Sequence, residues 1–317
     1  MEFDTISLGL CILLGGVVSL IGKALVETVR VPRIVWWTGI LMPFAVTHLT
    51  LLHALPFARM VGLCIVLLMG MKVITYMEWI IGGGKRMSWV RWGAFSFLWF
   101  GMQPMAWVGR RKRIGQLEWR SHVVYALIPM IIGAVGLSFY AGLGLDYFPA
   151  SFICMSMMFH YGVLRLNTAL WRIIGFPVRT LFRNPLVTSG FGDFWGARWN
   201  LAYSQMMARA VQKPLLPQIG KKGATFAVFL VSGLFHEFAI SVVALDGFGL
   251  PFLFFLAHGV VVLVEKKHWS MRYLCLGSLV IGLPILFPPA FVEGIVMPVE
   301  EYWREAMRWF FSLIRET

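Results

Sequence analysis

A histidine within an apolar run is the residue of this chain best placed to do chemistry. His236 lies near the middle of the stretch FAVFLVSGLFHEFAISVVAL, with Glu237 directly after it and Ser232 one helical turn before it. Ionisable groups are costly inside a membrane, so a histidine at that depth marks a candidate functional site. Burial favours the neutral imidazole, which is the form that a general base requires. A core histidine bonded to a backbone carbonyl is the structural alternative.

A second candidate is the asparagine that ends the stretch DFWGARWN. Asn200 offers both a donor and an acceptor, so it can orient an imidazole or hold a carbonyl group. Arg198 can face phosphate groups with its bidentate guanidinium, and Asp193 can pair with a local arginine. We expect Trp195 and Trp199 to anchor this stretch at a membrane interface in preference to contacting a substrate.

Several known catalytic and metal-binding patterns are absent from the sequence. No histidine has an aspartate four or five positions later, which is the pattern of several acyltransferase families, and the aspartates cannot form the paired motifs of intramembrane prenyltransferases. No GxSxG, HExxH or P-loop sequence occurs, and the cysteines lack the spacing of a disulfide framework or a zinc site. We therefore predict no metal and no bound cofactor.

The composition indicates that the elements carrying these residues lie in a membrane. Of the 317 residues, 59% are hydrophobic and 14% are charged, whereas soluble domains have about 45–50% and about 25%. The N-terminal run lacks the basic region of a signal peptide, so we expect it to form the first helix. Apolar runs long enough to cross a membrane recur along the chain. The predicted spans lie near residues 5–22, 34–53, 60–81, 122–143, 148–165, 224–244, 249–264 and 271–287, and residues 92–107 are predicted to form a re-entrant or interfacial helix.

The basic residues concentrate in the interval 165–222. Nine Lys or Arg residues stand there against Asp193 alone, which gives this interval +8 of the chain's net charge of +13. Short basic loops, including the one with Lys266 and Lys267, are expected in the cytoplasm, opposite Asp146 and the N-terminus. Two explanations stay open for the charge: attraction to anionic lipid, and a docking surface for a polyanionic substrate. No nucleic-acid partner is predicted.

Two motifs together resemble the membrane-bound O-acyltransferase superfamily. SGFGDFWGARWN is similar to the S..DFWGRRWN segment of its plant-type wax synthases, and VSGLFHEFAIS is similar to their histidine segment; FSFLWFGMQP also resembles that branch. Ala197 departs from the pattern, since a basic residue usually stands there. The resemblance implies a polytopic all-α fold of about eight or nine spans, one domain over residues 1–317, with residues 165–222 as a cytoplasmic or interfacial segment.

The resemblance also implies the roles of the site residues. Asn200 and His236 match the two family positions tied to catalysis. We predict that Asp193, Trp195, Arg198, Trp199, Ser232 and Glu237 surround them as substrate-binding residues.

The implied activity is transfer of a fatty acyl group from acyl-CoA, as co-substrate, to a lipophilic alcohol, with a wax ester as product. Sterol or diacylglycerol acceptors are the alternatives within this branch. A proton-coupled transporter using His236, Glu237 and Glu78 is the alternative from another class, and a non-enzymatic lipid-binding protein is a third. We expect a multi-pass protein among membrane lipids, in the endoplasmic reticulum if eukaryotic or the inner membrane if bacterial.

Overall fold

The structure, a computed structural model, describes residues 2–109, 111, 115–143, 148–266 and 268–316. Helices make up 82% of it, and the described residues contain no strand, which confirms the all-α prediction. Asp146 and Lys267, used above to orient the chain, lie outside the described residues.

The α-helices follow one another along the whole chain. They are α1 (Glu2–Thr28), α2 (Arg33–Thr50), α3 (Pro56–Ile81), α4 (Trp89–Gly93), α5 (Met105–Val108), α6 (Gln116–Gly142), α7 (Phe148–Ser156), α8 (Leu164–Ile173), α9 (Phe191–Asp193), α10 (Leu201–Met207), α11 (Lys213–His236), α12 (Val242–Ala244), α13 (Leu250–Val264), α14 (Ser270–Ile281), α15 (Leu283–Leu286), α16 (Pro289–Phe291) and α17 (Met297–Glu316). Turns of π-helix cover Ala94–Leu98, Met157–Val163, Phe194–Arg198, Ala208–Gln212, Glu237–Ser241 and Val292–Val296, and Pro185–Val187 form a 3-10 turn.

Four stretches of the described chain are long and apolar enough to cross a membrane. They are Thr5–Thr28, Pro56–Ile81, Arg120–Gly142 and Leu201–Ala244. Helices α13 and α14 are apolar but shorter. The remaining predicted spans fall on helices that are shorter or less hydrophobic than these four stretches. The structure therefore supports a membrane protein with fewer clear spans than the eight or nine predicted.

The segment predicted as a re-entrant or interfacial helix is broken into α4, a π-helical turn and α5. Lys72, buried in α3, donates hydrogen bonds to the carbonyl oxygens of Phe95 (2.7 Å), Trp99 (2.7 Å) and Gly101 (2.5 Å). A helix that stops within the protein leaves carbonyls without intrahelical partners, and the ammonium group supplies those partners. Lys72 therefore has a structural role in holding this segment against α3.

The stretch Leu201–Ala244 folds back on itself instead of running straight. Gly220 interrupts the helical backbone with φ 66° and ψ 177°, a conformation that glycine adopts readily. The rings of Tyr203 and His236 lie 6.3 Å apart, whereas a straight helix would separate these residues by about 50 Å at 1.5 Å per residue. Residues 201–219 are called the first arm below, and residues 221–244 the second arm.

The first arm falls inside the interval predicted to be cytoplasmic or interfacial. Its apolar residues recur at helical spacing and are buried against α3 and the second arm; they are Leu201, Ala202, Met206, Met207, Ala210 and Val211. The exposed lysines gather instead near the tip of the hairpin, at Lys213, Lys221 and Lys222. The interval 165–222 thus contains an apolar helix face in spite of its high net charge.

Candidate active site

A cavity of about 310 Å³ lies between the two arms, the aromatic stretch around Trp195, and α13. Asn200 and His236 both line it, one from the start of the first arm and one from the second arm. The other lining residues are Gly192, Trp195, Gly196, Trp199, Tyr203, Ser204, Met207, Ala208, Gln212, Thr225, Val228, Phe229, Ser232, Phe255 and Val262. The fold therefore brings the two predicted catalytic residues to one cavity.

The ring of His236 is held by a hydrogen bond and by stacking against Phe255. Its Nδ1 lies 2.7 Å from the carbonyl oxygen of Ser232. Because a carbonyl oxygen only accepts, Nδ1 carries the proton and Nε2 keeps its lone pair. Phe255 of α13 stacks on the imidazole with ring centroids 3.9 Å apart. These contacts hold the imidazole in one orientation, with Nε2 as the nitrogen that can accept a proton.

Asn200 holds an unusual backbone conformation at the start of the first arm. Its φ of 42° and ψ of 62° are left-handed, a region that asparagine enters more readily than most residues. Its Oδ1 accepts a hydrogen bond from the backbone N–H of Tyr203 at 3.2 Å, which caps α10. The side-chain oxygen thus has a structural partner, and the Nδ2 group remains as the donor that a substrate can use.

Trp195 and Trp199 both line the cavity. Trp195 contacts Phe255 with ring centroids 5.1 Å apart, so it lies on the same wall as the histidine. Trp199 stacks on Phe194 at 5.7 Å and contacts His160 at 5.2 Å. Both tryptophans therefore lie where a molecule in the cavity would touch them, and their role as interface anchors stays a prediction.

Arg198 and Asp193 form an ion pair outside the residues that line the cavity. Arg198 Nε lies 2.6 Å from Asp193 Oδ2, and the backbone N–H of Ser189 donates to the same oxygen at 2.9 Å. Partial burial alone raises the pKa of the Asp193 carboxyl, but these hydrogen bonds outweigh burial and hold that pKa below its ordinary value. Arg198 is therefore the local arginine with which Asp193 pairs, and its charge already has a partner within the protein.

Ser232 and Glu237, also predicted around the histidine, take different positions. Ser232 lines the cavity, and its hydroxyl donates to the carbonyl oxygen of Val228 at 2.7 Å. Glu237 does not line the cavity. Its Oε1 accepts hydrogen bonds from the backbone N–H groups of Gly249 (3.1 Å) and Phe252 (2.8 Å), which caps the start of α13. The structure thus gives Glu237 a helix-capping role.

Glu265 does not line the cavity but holds part of its wall, a role that the sequence did not suggest. Its two carboxylate oxygens accept hydrogen bonds from the backbone N–H groups of Phe191 (2.9 Å) and Gly192 (2.8 Å). A Cβ on Gly192 would lie 2.8 Å from Glu265 Oε1, so glycine permits this approach. The carboxylate joins the end of α13 to the start of the aromatic stretch. No local pattern links residues so distant in sequence.

Comparison with known proteins yields a family match over the site itself. Residues 178–257 match the family described as "Membrane bound O-acyl transferase family", and this range contains Asn200 and His236. The chain is 27% identical over 228 residues to "Long-chain-alcohol O-fatty-acyltransferase" of Simmondsia chinensis, covering 61% of this chain and 62% of that protein. It is 26% identical over 176 residues to "Probable long-chain-alcohol O-fatty-acyltransferase 7" of Arabidopsis thaliana, covering 48% of this chain and 52% of that one.

The matches extend over only part of each protein: the chain spans 52% of the length of the Arabidopsis relative and 62% of that of the Simmondsia relative. Together with the apolar helices, the family match indicates an integral membrane protein. Over residues 178–257 the chain matches the membrane-bound O-acyl transferase family, and the resemblance to its wax synthase-like branch, indicated by the asparagine and histidine motifs, is confirmed.

Proposed function

We propose that this protein is an O-acyltransferase that moves a fatty acyl group from acyl-CoA to a long-chain alcohol, with a wax ester as product. The observation that carries the proposal is that Asn200 and His236 line one cavity, with Nδ1 of His236 bonded to a backbone carbonyl oxygen, so that Nε2 is the nitrogen left to act as base. The names of the relatives support a long-chain alcohol as acceptor over a sterol or diacylglycerol.

In the proposed reaction His236 acts first as base and then as acid. Nε2 takes the proton of the alcohol as the alcohol oxygen attacks the thioester carbonyl carbon, forming a C–O bond. The carbonyl electrons move to oxygen, and the Nδ2 group of Asn200 donates a hydrogen bond to that oxyanion. When the C–S bond breaks, the imidazolium returns the proton to the departing thiolate. The step produces an ester and free coenzyme A, and the protein supplies no bound cofactor.

Acyl-CoA binding is proposed at the tip of the hairpin. The lining residues of the second arm run from His236 to Thr225, which lie about 16 Å apart along the helix at 1.5 Å per residue. Beyond Thr225 stand the exposed lysines of the tip, Lys213, Lys221 and Lys222. An extended pantetheine arm can follow this face, with its thioester at His236 and its phosphates near the lysines. These cations replace Arg198 as the proposed phosphate partners, since Arg198 is paired with Asp193.

The proposed topology keeps the whole chain as one domain. We propose that the shorter apolar helices, including α13 and α14, also cross or enter the bilayer, giving about eight or nine spans. Membrane lipids then surround the outer faces of α1 and α6, which expose large apolar side chains such as Leu13, Phe139 and Val135. The alcohol and the acyl chain reach the cavity from the lipid.

Proton-coupled transport, the rival from another class, finds less support in the contacts. Glu237 caps α13 with its carboxylate. Glu78 pairs with Arg33 at 2.5 Å. Neither carboxylate lines the cavity with His236, so among the described residues the acids that a proton path would need are bound elsewhere.

The experiment is release of free coenzyme A by the purified protein given acyl-CoA and a panel of alcohols. We expect release with hexadecanol, formation of the matching ester by mass spectrometry, and little release with ethanol at equal membrane concentration. If coenzyme A is released only with a sterol or only with diacylglycerol, that lipid is the acceptor in place of the long-chain alcohol. Absence of release with every acceptor, from protein that remains folded, would refute the proposal.

A further inference from the structure

Tyr203 is the one phenol among the residues that line the cavity. It stands one turn after Asn200 on the first arm, and its backbone N–H donates to Oδ1 of Asn200 at 3.2 Å. Its ring meets the imidazole of His236 edge to face, with centroids 6.3 Å apart, and meets Phe235 at 6.2 Å. Its position is therefore tied to both predicted catalytic residues.

The hydroxyl of Tyr203 is buried and has no hydrogen-bond partner among the described residues. The hydroxyl of Ser232 on the facing arm is the side-chain group within reach of the phenol, but its own proton goes to the carbonyl oxygen of Val228, and the two hydroxyls do not meet hydrogen-bond geometry. A buried polar group without a partner is destabilising, so such groups are rare and call for a specific reason. A donor left unpaired beside a reaction cavity is satisfied when the substrate supplies an acceptor.

We propose that the Tyr203 hydroxyl is a second hydrogen-bond donor to the oxyanion of the acyl group, beside Nδ2 of Asn200. This inference rests on the proposed acyl transfer. Both donors come from consecutive turns of the first arm, while the base comes from the second arm, so donors and base approach the thioester carbonyl from different walls. A phenol is protonated near neutral pH and donates without taking part in the proton transfer.

The chemistry requires donors where the charge develops. As the alcohol oxygen attacks, the carbonyl oxygen becomes an oxyanion, and each donor already in place stabilises the transition state more than the ground state. When the C–S bond breaks, the oxyanion electrons return to the carbonyl and the Tyr203 proton has not moved. Tyr203 thus affects the rate of the chemical step and not the affinity for either substrate.

The test is Tyr203→Phe, which removes only the hydroxyl. We expect kcat for coenzyme A release to fall about 10²-fold, as when one oxyanion donor is removed, with KM for acyl-CoA and for the alcohol within about twofold. The melting temperature should be unchanged or higher, because an unpaired buried hydroxyl is lost. Tyr161→Phe is the matched control: the Tyr161 hydroxyl donates to Arg183 O at 3.4 Å, outside the lining residues, so kcat should stay at the wild-type value.

Three results would overturn the inference. The first is a kcat of Tyr203→Phe within about threefold of wild type, which is much less than the effect of losing an oxyanion donor. The second is a change in KM with no change in kcat. The third is a clear fall in melting temperature while turnover is retained. Wild-type protein in the same assay separates the two proposals. If wild type releases coenzyme A and Tyr203→Phe does so equally fast, only the role of Tyr203 fails. If wild type releases none, the proposed function fails and this inference falls with it.

Discussion

Nδ1 of His236 donates a hydrogen bond to the carbonyl oxygen of Ser232, one turn earlier in the same arm, at 2.7 Å. The bond fixes the tautomer with Nε2 unprotonated, a task that a carboxylate performs in many catalytic triads. The described residues lining the cavity include no Asp or Glu. A backbone carbonyl orients this imidazole without adding a charge to an apolar site.

The two roles of Asn200 can be separated by substitution. Asn200→Asp keeps an acceptor for the Tyr203 N–H and tolerates the left-handed backbone, but it lacks the Nδ2 donor. We expect near-normal melting temperature and a turnover about 10²–10³-fold lower. Asn200→Ala also loses the cap and should cost about 1 kcal/mol of stability in addition. If the turnover of Asn200→Asp is close to that of wild type, the side chain of Asn200 acts only as a helix cap.

Glu265 is expected to position the aromatic stretch. Glu265→Gln replaces one acceptor oxygen by an NH₂ group that cannot accept from Phe191 or Gly192, so one partly buried N–H loses its partner. We expect a loss of about 1 to 3 kcal/mol in stability and a reduced turnover, measured on the same purified sample. Glu301→Gln, in an exposed ion pair of α17, is the control and should change neither. Unchanged stability of Glu265→Gln would remove the positioning role.

The ion pair of Asp193 with Arg198 predicts a particular dependence on pH. Because the pKa of Asp193 is lowered in the folded state, its contribution to stability is complete above the unfolded value near 3.8 and is lost as the pH falls below it. Asp193→Asn should therefore be less stable than wild type at pH 7, by about 1 kcal/mol or less for a partly exposed pair. The difference in thermal stability between the two proteins should begin to shrink as the pH falls through 3.8 and should disappear only below the lower pKa of the folded state. A difference that stays constant over this range would contradict the assignment.

The positive charges at the hairpin tip are expected to affect the binding of acyl-CoA and not the binding of the alcohol. Lys221→Glu with Lys222→Glu should raise KM for acyl-CoA about fivefold or more, since a unit charge at close range contributes about 1 kcal/mol even in water. KM for the alcohol should not change, and added salt should reduce the difference. Lys85→Glu, at an exposed loop after α3, is the control. Equal changes in both Michaelis constants would argue against a phosphate-docking role for the tip.

The sequence identified the residues of the site more readily than the contacts between them. His236 stands out because an ionisable group in an apolar run is rare, and Asn200 because it ends an aromatic motif. Helical periodicity is a local signal and cannot show that the chain turns back at Gly220. That turn places Tyr203 beside His236, so the phenol could not be singled out from sequence.

Charge was the least informative guide to the site. Arg198 was predicted to face phosphate groups because its guanidinium is bidentate, and Glu237 was predicted to bind substrate because it follows His236 in an apolar run. In the structure Arg198 is bound by Asp193, and Glu237 caps α13. Buried or half-buried charges need partners, and partners within the protein are often distant in sequence. Lys72, with its three carbonyl partners, follows the same rule.

The most direct test is the turnover of His236→Ala, measured with its melting temperature and its affinity for acyl-CoA on one detergent-purified sample. If Nε2 is the general base, turnover should fall by at least about 10²–10⁴-fold while acyl-CoA still binds. Combining His236→Ala with Asn200→Asp should cost little more than the worse single change, because groups that act as a unit are not additive. A folded His236→Ala protein that keeps more than about a tenth of normal turnover would contradict the account.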